Sequence, residues 1–151
     1  MIDPLISQHF RLSEFLDSDT ATRLDLDNTP PPDVLATLRN VLIPGMEAVR
    51  SILGASVLIT SGYRSPSVNA AVRGAASSQH VTGHAADFKC PDFGSPLEVA
   101  TELVKHMQKL KFDQLIQEGN WCHISFAPRP RNQVLTAHFG GGRVSYTSGL
   151  A

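Results

Sequence analysis

Three short stretches of the sequence hold more polar chemistry than a packed core needs: Ser61-Gly62-Tyr63-Arg64-Ser65-Pro66, Ser78-Gln79-His80-Val81-Thr82-Gly83-His84-Ala85-Ala86-Asp87 and Glu118-Gly119-Asn120-Trp121-Cys122-His123-Ile124-Ser125. In the last, strand alternation sends Cys122, Ile124 and Phe126 to one apolar face and Trp121, His123 and Ser125 to the other. His123 is therefore expected on a polar face beside an aromatic. His80 and Asp87 lie too far apart for one helical turn to align them. Gly83 between them lets the chain fold back, since glycine adopts positive φ without steric cost. A lone carboxylate in a strand beside alanines is costly to bury unless it is paired or metal-bound. Two imidazoles and one carboxylate make a three-ligand zinc set with a fourth position open to water, the pattern of a catalytic rather than a structural site. His9, His84, His106 and His138 are expected to be ordinary histidines, with His84 the nearest to the metal loop.

Elements must bring these stretches together. Val34, Leu38, Val41, Leu42, Met46, Val49 and Ile52 recur at helical spacing, with Pro44 predicting a kink or two abutting helices and Gly54 a stop. Ser95-Pro96-Leu97-Glu98 is a capping box with proline at the first helical position, and Ala100, Leu103, Val104 and Met107 supply that helix's buried face. Short strands are expected at Val57–Thr60, Ala85–Phe88, Phe112–Gln117 and Trp121–Phe126, the last two joined by a hairpin turn. This order predicts an α+β domain with helices packed on a small, largely antiparallel sheet. The expected domain spans residues 1–139, followed by a loosely ordered Gly-rich tail over 140–151.

Composition narrows the function classes. The 151 residues are 42% hydrophobic and 18% charged, with 13 basic and 14 acidic side chains and a formal net charge of −1. That balance argues against a nucleic-acid binder, which shows a basic excess. No apolar run approaches the ~20 residues of a membrane span. The N-terminal residues lack the pattern of a secretory signal, so synthesis in the cytoplasm is expected. Cys90 and Cys122 cannot make a stapled scaffold or a zinc finger; two reduced thiols are expected, one disulfide being the alternative. Monomer is the default expectation.

Taken together, the three stretches resemble the zinc D-Ala-D-Ala carboxypeptidase family (the M15 peptidases), in particular its small phage-type branch. Ser-x-His-x-x-Gly-x-Ala-x-Asp is matched from Ser78 to Asp87, Trp-x-His at Trp121 and His123, and Ser-Gly-Tyr-Arg-Ser-Pro from Ser61 to Pro66. The zinc region is also similar to that of Hedgehog signalling domains. The resemblance spans roughly residues 10 to 135 and implies a Hedgehog/DD-peptidase-like α+β fold, with zinc held by His80, Asp87 and His123. It further implies action on peptidoglycan stem peptides at the cell wall, in an endolysin-like or virion-associated setting.

One departure bears on catalysis. Several family members carry the catalytic acid three residues before the last histidine, where this chain has Asn120. Glu118 is the expected base instead, with Arg64 as the oxyanion-stabilising fork and Ser78, Tyr63 and Trp121 as substrate contacts. Either a D-Ala-D-Ala carboxypeptidase or an L-Ala-D-Glu-type endopeptidase fits these residues. The alternatives are a zinc-dependent peptidoglycan-binding module without catalysis and a phage structural module.

Overall fold

The apolar stripe from Val34 to Ile52 runs past Pro44 on one unbroken helical element instead of two abutting helices. The computed structural model, which describes residues 3–151, carries α3 (Pro32–Thr37) through a π-helical turn (Leu38–Leu42) directly into α4 (Ile43–Leu53). Pro44 has no N–H to give and its ring crowds the preceding turn. The wider π turn absorbs both problems, with the Ile43 N–H bonded back to Leu38 O. Leu38, Leu42, Met46 and Val49 are fully buried along this continuous element, whereas Val41 and Ile52 lie at its margin. Two short helices, α1 (Ser13–Leu16) and α2 (Asp19–Leu24), precede it.

Six strands form one sheet: β1 (Leu58–Ser61), β2 (Ala85–Lys89), β3 (Gln114–Gln117), β4 (Cys122–Ser125), β5 (Gln133–Gly140) and β6 (Arg143–Ser148), in the order β1-β2-β4-β3-β5-β6. Every neighbouring pair is antiparallel except β3 with β5. The expected α+β class and largely antiparallel sheet are what the molecule has. A short helix, α5 (Pro66–Ala71), follows β1, while α6 (Pro96–Lys105) and α7 (Met107–Leu110) lead into β3. The predicted capping box opens α6: Ser95 Oγ accepts from the Glu98 N–H, and Glu98 Oε1 from the Ser95 N–H. Ala86, Phe88, Leu115, Cys122 and Ile124 turn from the strands into one core with α4 and α6.

The C-terminal region differs from expectation. Residues 140–151 are not a loose tail: β5 and β6 form a hairpin on the sheet edge, crossing the expected boundary at residue 139. Gly140 and Arg143 pair across a two-residue turn in which Gly141 and Gly142 have φ of 59° and 74°. Positive φ at both central positions matches the right-handed twist of a hairpin, and glycine adopts it freely. Residues 1 and 2 of the expected domain lie outside the described residues.

Candidate metal centre and cleft

Sheet register places the site. Asp87 on β2 pairs with His123 on β4, which pairs with Ile116 on β3, which pairs with Leu135 on β5. Cross-strand partners share a face, so these four side chains form one row on the side away from the main core. His123 thus stands where strand alternation predicts. His80 arrives from the loop before β2, which folds back through Gly83 at φ 81°.

His80 Nε2 lies 3.3 Å and His123 Nδ1 3.0 Å from the same Asp87 oxygen. One potential ligand atom from each residue falls within 4.8 Å of the others, and among the described residues this is the cluster able to hold a metal. Zinc bonds of about 2.0–2.2 Å in tetrahedral geometry need donors little more than 3 Å apart, so the set fits with small adjustments. The tautomer fits too. His80 Nδ1 is 2.7 Å from the carbonyl oxygen of Gly62; with the proton there, Nε2 keeps its lone pair toward Asp87. Gly62 can lie this deep because it has no side chain: a Cβ would stand 2.5 Å from Phe15 O.

Charge at the centre is arranged for ligation. Burial pushes the Asp87 carboxyl up, but when both ring nitrogens of His80 carry protons its attraction, with hydrogen bonds from His123 and His80, outweighs burial and holds the group well below the usual range; a bound cation would take the place of those protons. Glu118 goes the other way: burial first, then repulsion from Asp87, raise its carboxyl. It sits two residues beyond Ile116, on the same face as His123, and lines the cleft. Asn120 is exposed at the tip of the turn, so the three-residue spacing leads away from the centre. The buried Trp121 indole N–H has no hydrogen-bond partner.

Arg64 follows β1 and its N–H bonds to His80 O. Burial lowers its pKa, partly offset by the charges of Asp87 and Glu118. Its guanidinium reaches Ser78 Oγ at 3.4 Å, and its buried Nε has no partner. A fork with unused donors beside a metal centre can take a carboxylate or a developing oxyanion. Ser78 lines the cleft and accepts from the His80 N–H at 3.3 Å, and Trp121 lines it as well.

Tyr63 is a correction. It is 3% exposed, belongs to the core and does not line the cleft. Arg64 points into the cleft, and the adjoining residue of an extended segment points away from it. The Tyr63 backbone is pinned instead: its N–H bonds to Phe15 O and its carbonyl accepts from Asn28 Nδ2. His84 bonds Thr82 and stays out of the cleft, while His9, His106 and His138 pair with Glu47, Glu102 and Thr147.

Sequence reasoning missed two parts of the site. Asp113, 2% exposed, takes a two-pronged bond from Arg131 at 2.8 and 2.7 Å and accepts from Gln79 Nε2 at 2.9 Å. It ties the metal loop to the start of β3 and aims Arg131 along the cleft. Arg131 first, then Gln79, hold the Asp113 carboxyl down at about 2 against the effect of burial. No local pattern marks this contact, which joins residues far apart in the chain. The second omission is the β5–β6 hairpin, which walls a cleft of about 820 Å³ with Leu135, Phe139, Val144 and Tyr146. Here a signal existed: alternating residues on both sides of a glycine pair read as a hairpin.

A family model described as Peptidase M15 matches residues 8–125, which carry all three ligand residues, Arg64 and Glu118. No curated protein matches the chain.

Proposed function

This chain is a member of the peptidase M15 family, and on that premise we propose that it is a zinc peptidase hydrolysing peptidoglycan stem peptides. The observation that carries the reading is the convergence of His80 Nε2, Asp87 and His123 Nδ1 on one point of a cleft floor, with Glu118 on the same sheet face. Zinc bound there would acidify a water and polarise a peptide carbonyl.

The chain's own groups do the rest. Glu118, partly withdrawn from solvent, accepts the proton of the attacking water and delivers it to the leaving amine. Arg64 meets the negative charge that grows on the carbonyl oxygen with donors already in place. Ser78 fixes the metal loop and the Arg64 fork, and Trp121 closes one side of the substrate path. The bond cut is that of a D-Ala-D-Ala carboxypeptidase or an L-Ala-D-Glu-type endopeptidase. A wall-directed, phage-type role is part of the same proposal.

The test is mass spectrometry of muropeptides digested by the zinc-loaded protein and by Glu118→Ala. The wild type is expected to release one defined set of fragments, and the variant to be slower by about 10²–10⁴-fold while keeping its zinc. Asn120 at the family's acid position favours a second reading, a binding module without catalysis. Stem-peptide binding with no new amino groups from the wild type would select it.

A further inference from the structure

The cleft runs well past the metal ligands, and its far wall lies outside the residues that the family model matches. The β5–β6 hairpin occupies 133–148, beyond residue 125. From His123 the floor continues through Ile116 and Leu135 to the hairpin, where Phe139 pairs with Val144 and Tyr146 sits two residues further along β6. Phe139, Val144 and Tyr146 are 57%, 48% and 51% exposed, yet all three line the same cleft as the metal ligands. Trp121 extends this surface, its ring 6.2 Å from that of Phe139 at an angle of 50°. Large apolar side chains left open in a concave site mark a ligand contact. The β1 side of the cleft has another character, with Arg64 and Arg73 lining it, and Arg131 adds a third guanidinium just before β5.

We propose that the β5–β6 hairpin forms a carbohydrate subsite, in which Phe139, Tyr146 and Trp121 seat the glycan of a peptidoglycan fragment while the arginine side takes the carboxylates of its stem peptide. The subsite rests on the reading of the centre as a peptidoglycan peptidase. The two walls divide the substrate by chemistry. Stem peptides carry short side chains and carboxylates, which suit guanidinium forks but offer flat aromatic rings little to cover. A pyranose ring has a face of C–H bonds that packs on an aromatic face and an edge of hydroxyls that needs polar partners. The Tyr146 phenol and the Gln114 amide, both on the cleft, supply such partners. Tyr146 also lies close enough to feel Glu118 and Asp87, which, after burial, push its phenol up. The aromatic wall and the metal centre are thus within one substrate's reach.

Binding and turnover test the subsite separately. A peptide-free tetrasaccharide of alternating N-acetylglucosamine and N-acetylmuramic acid is titrated into the zinc-loaded protein, with fluorescence of Trp121, the one tryptophan, as readout. Wild type is expected to bind. Phe139→Ala/Tyr146→Ala is expected to bind on the order of tenfold more weakly, and Tyr146→Phe, which keeps the ring, to stay within about threefold of wild type. Thermal melting checks that the variants fold. In turnover, the preference in kcat/KM for a disaccharide-linked stem peptide over the free peptide is expected to shrink by a similar factor in the double variant. No glycan binding by wild type, or equal binding and preference in the double variant, overturns the subsite. A wild type that binds the glycan but cleaves neither substrate overturns the peptidase reading and leaves the subsite standing.

Discussion

The carbonyl oxygen of Gly62 sits 2.7 Å from His80 Nδ1, so the backbone at the end of β1 decides which nitrogen of His80 faces Asp87. The contact exists because the chain crosses Phe15 at a distance that only glycine permits. Gly62→Ala must shift that carbonyl. Loss of such an outer partner weakens metal binding by about 10- to 100-fold. Zinc affinity by competition with a chelating dye measures this, and unchanged affinity would show that His80 needs no such support.

Arg64→Lys separates charge from geometry. Lysine keeps the positive charge beside Asp87 and Glu118 but loses the planar fork. A drop in kcat of about 10²-fold, with zinc affinity intact, is expected from steady-state kinetics. An equal kcat would mean that the group acts through charge alone.

Asp113 makes stability depend on acid. Its carboxyl is held at about 2, below the ordinary 3.8, so its contribution is complete above about pH 4 and is lost as the pH falls through 2. Asp113→Asn should cost about 2 kcal/mol near neutrality, and the gap in Tm from wild type should close between pH 4 and 2. A gap that persists at pH 2 would assign the loss to packing.

The cysteines should be silent. Both are buried and unbonded to each other; burial raises the Cys90 thiol and pushes that of Cys122 up to about 12, and the Cys122 thiol donates to Pro96 O. Neither should react with a thiol reagent at neutral pH until the protein unfolds. Rapid labelling of the native protein would contradict this burial.

Local rules made much of this legible. Strand alternation put His123 on the polar face, the capping box began α6, and multi-residue motifs joined three distant stretches into one metal site. What escaped was set by tertiary contact. Asn28 latches Leu16, Tyr63 and Ser65, and Asp113 joins Gln79 to Arg131; neither leaves a mark in its own neighbourhood. The motif sets Tyr63 and Arg64 side by side without saying which way each faces, and of the two Arg64 lines the cleft. The hairpin escaped for another reason: three glycines in a row suggest disorder, yet two of them are the turn that lets Phe139 and Val144 pair.

The most direct test is a crystal of the zinc-soaked protein measured at the zinc absorption edge. One anomalous peak is expected within about 2.0–2.2 Å of His80 Nε2, His123 Nδ1 and an Asp87 oxygen, with a further position open. A peak elsewhere, or none between these three residues, would contradict the metal centre.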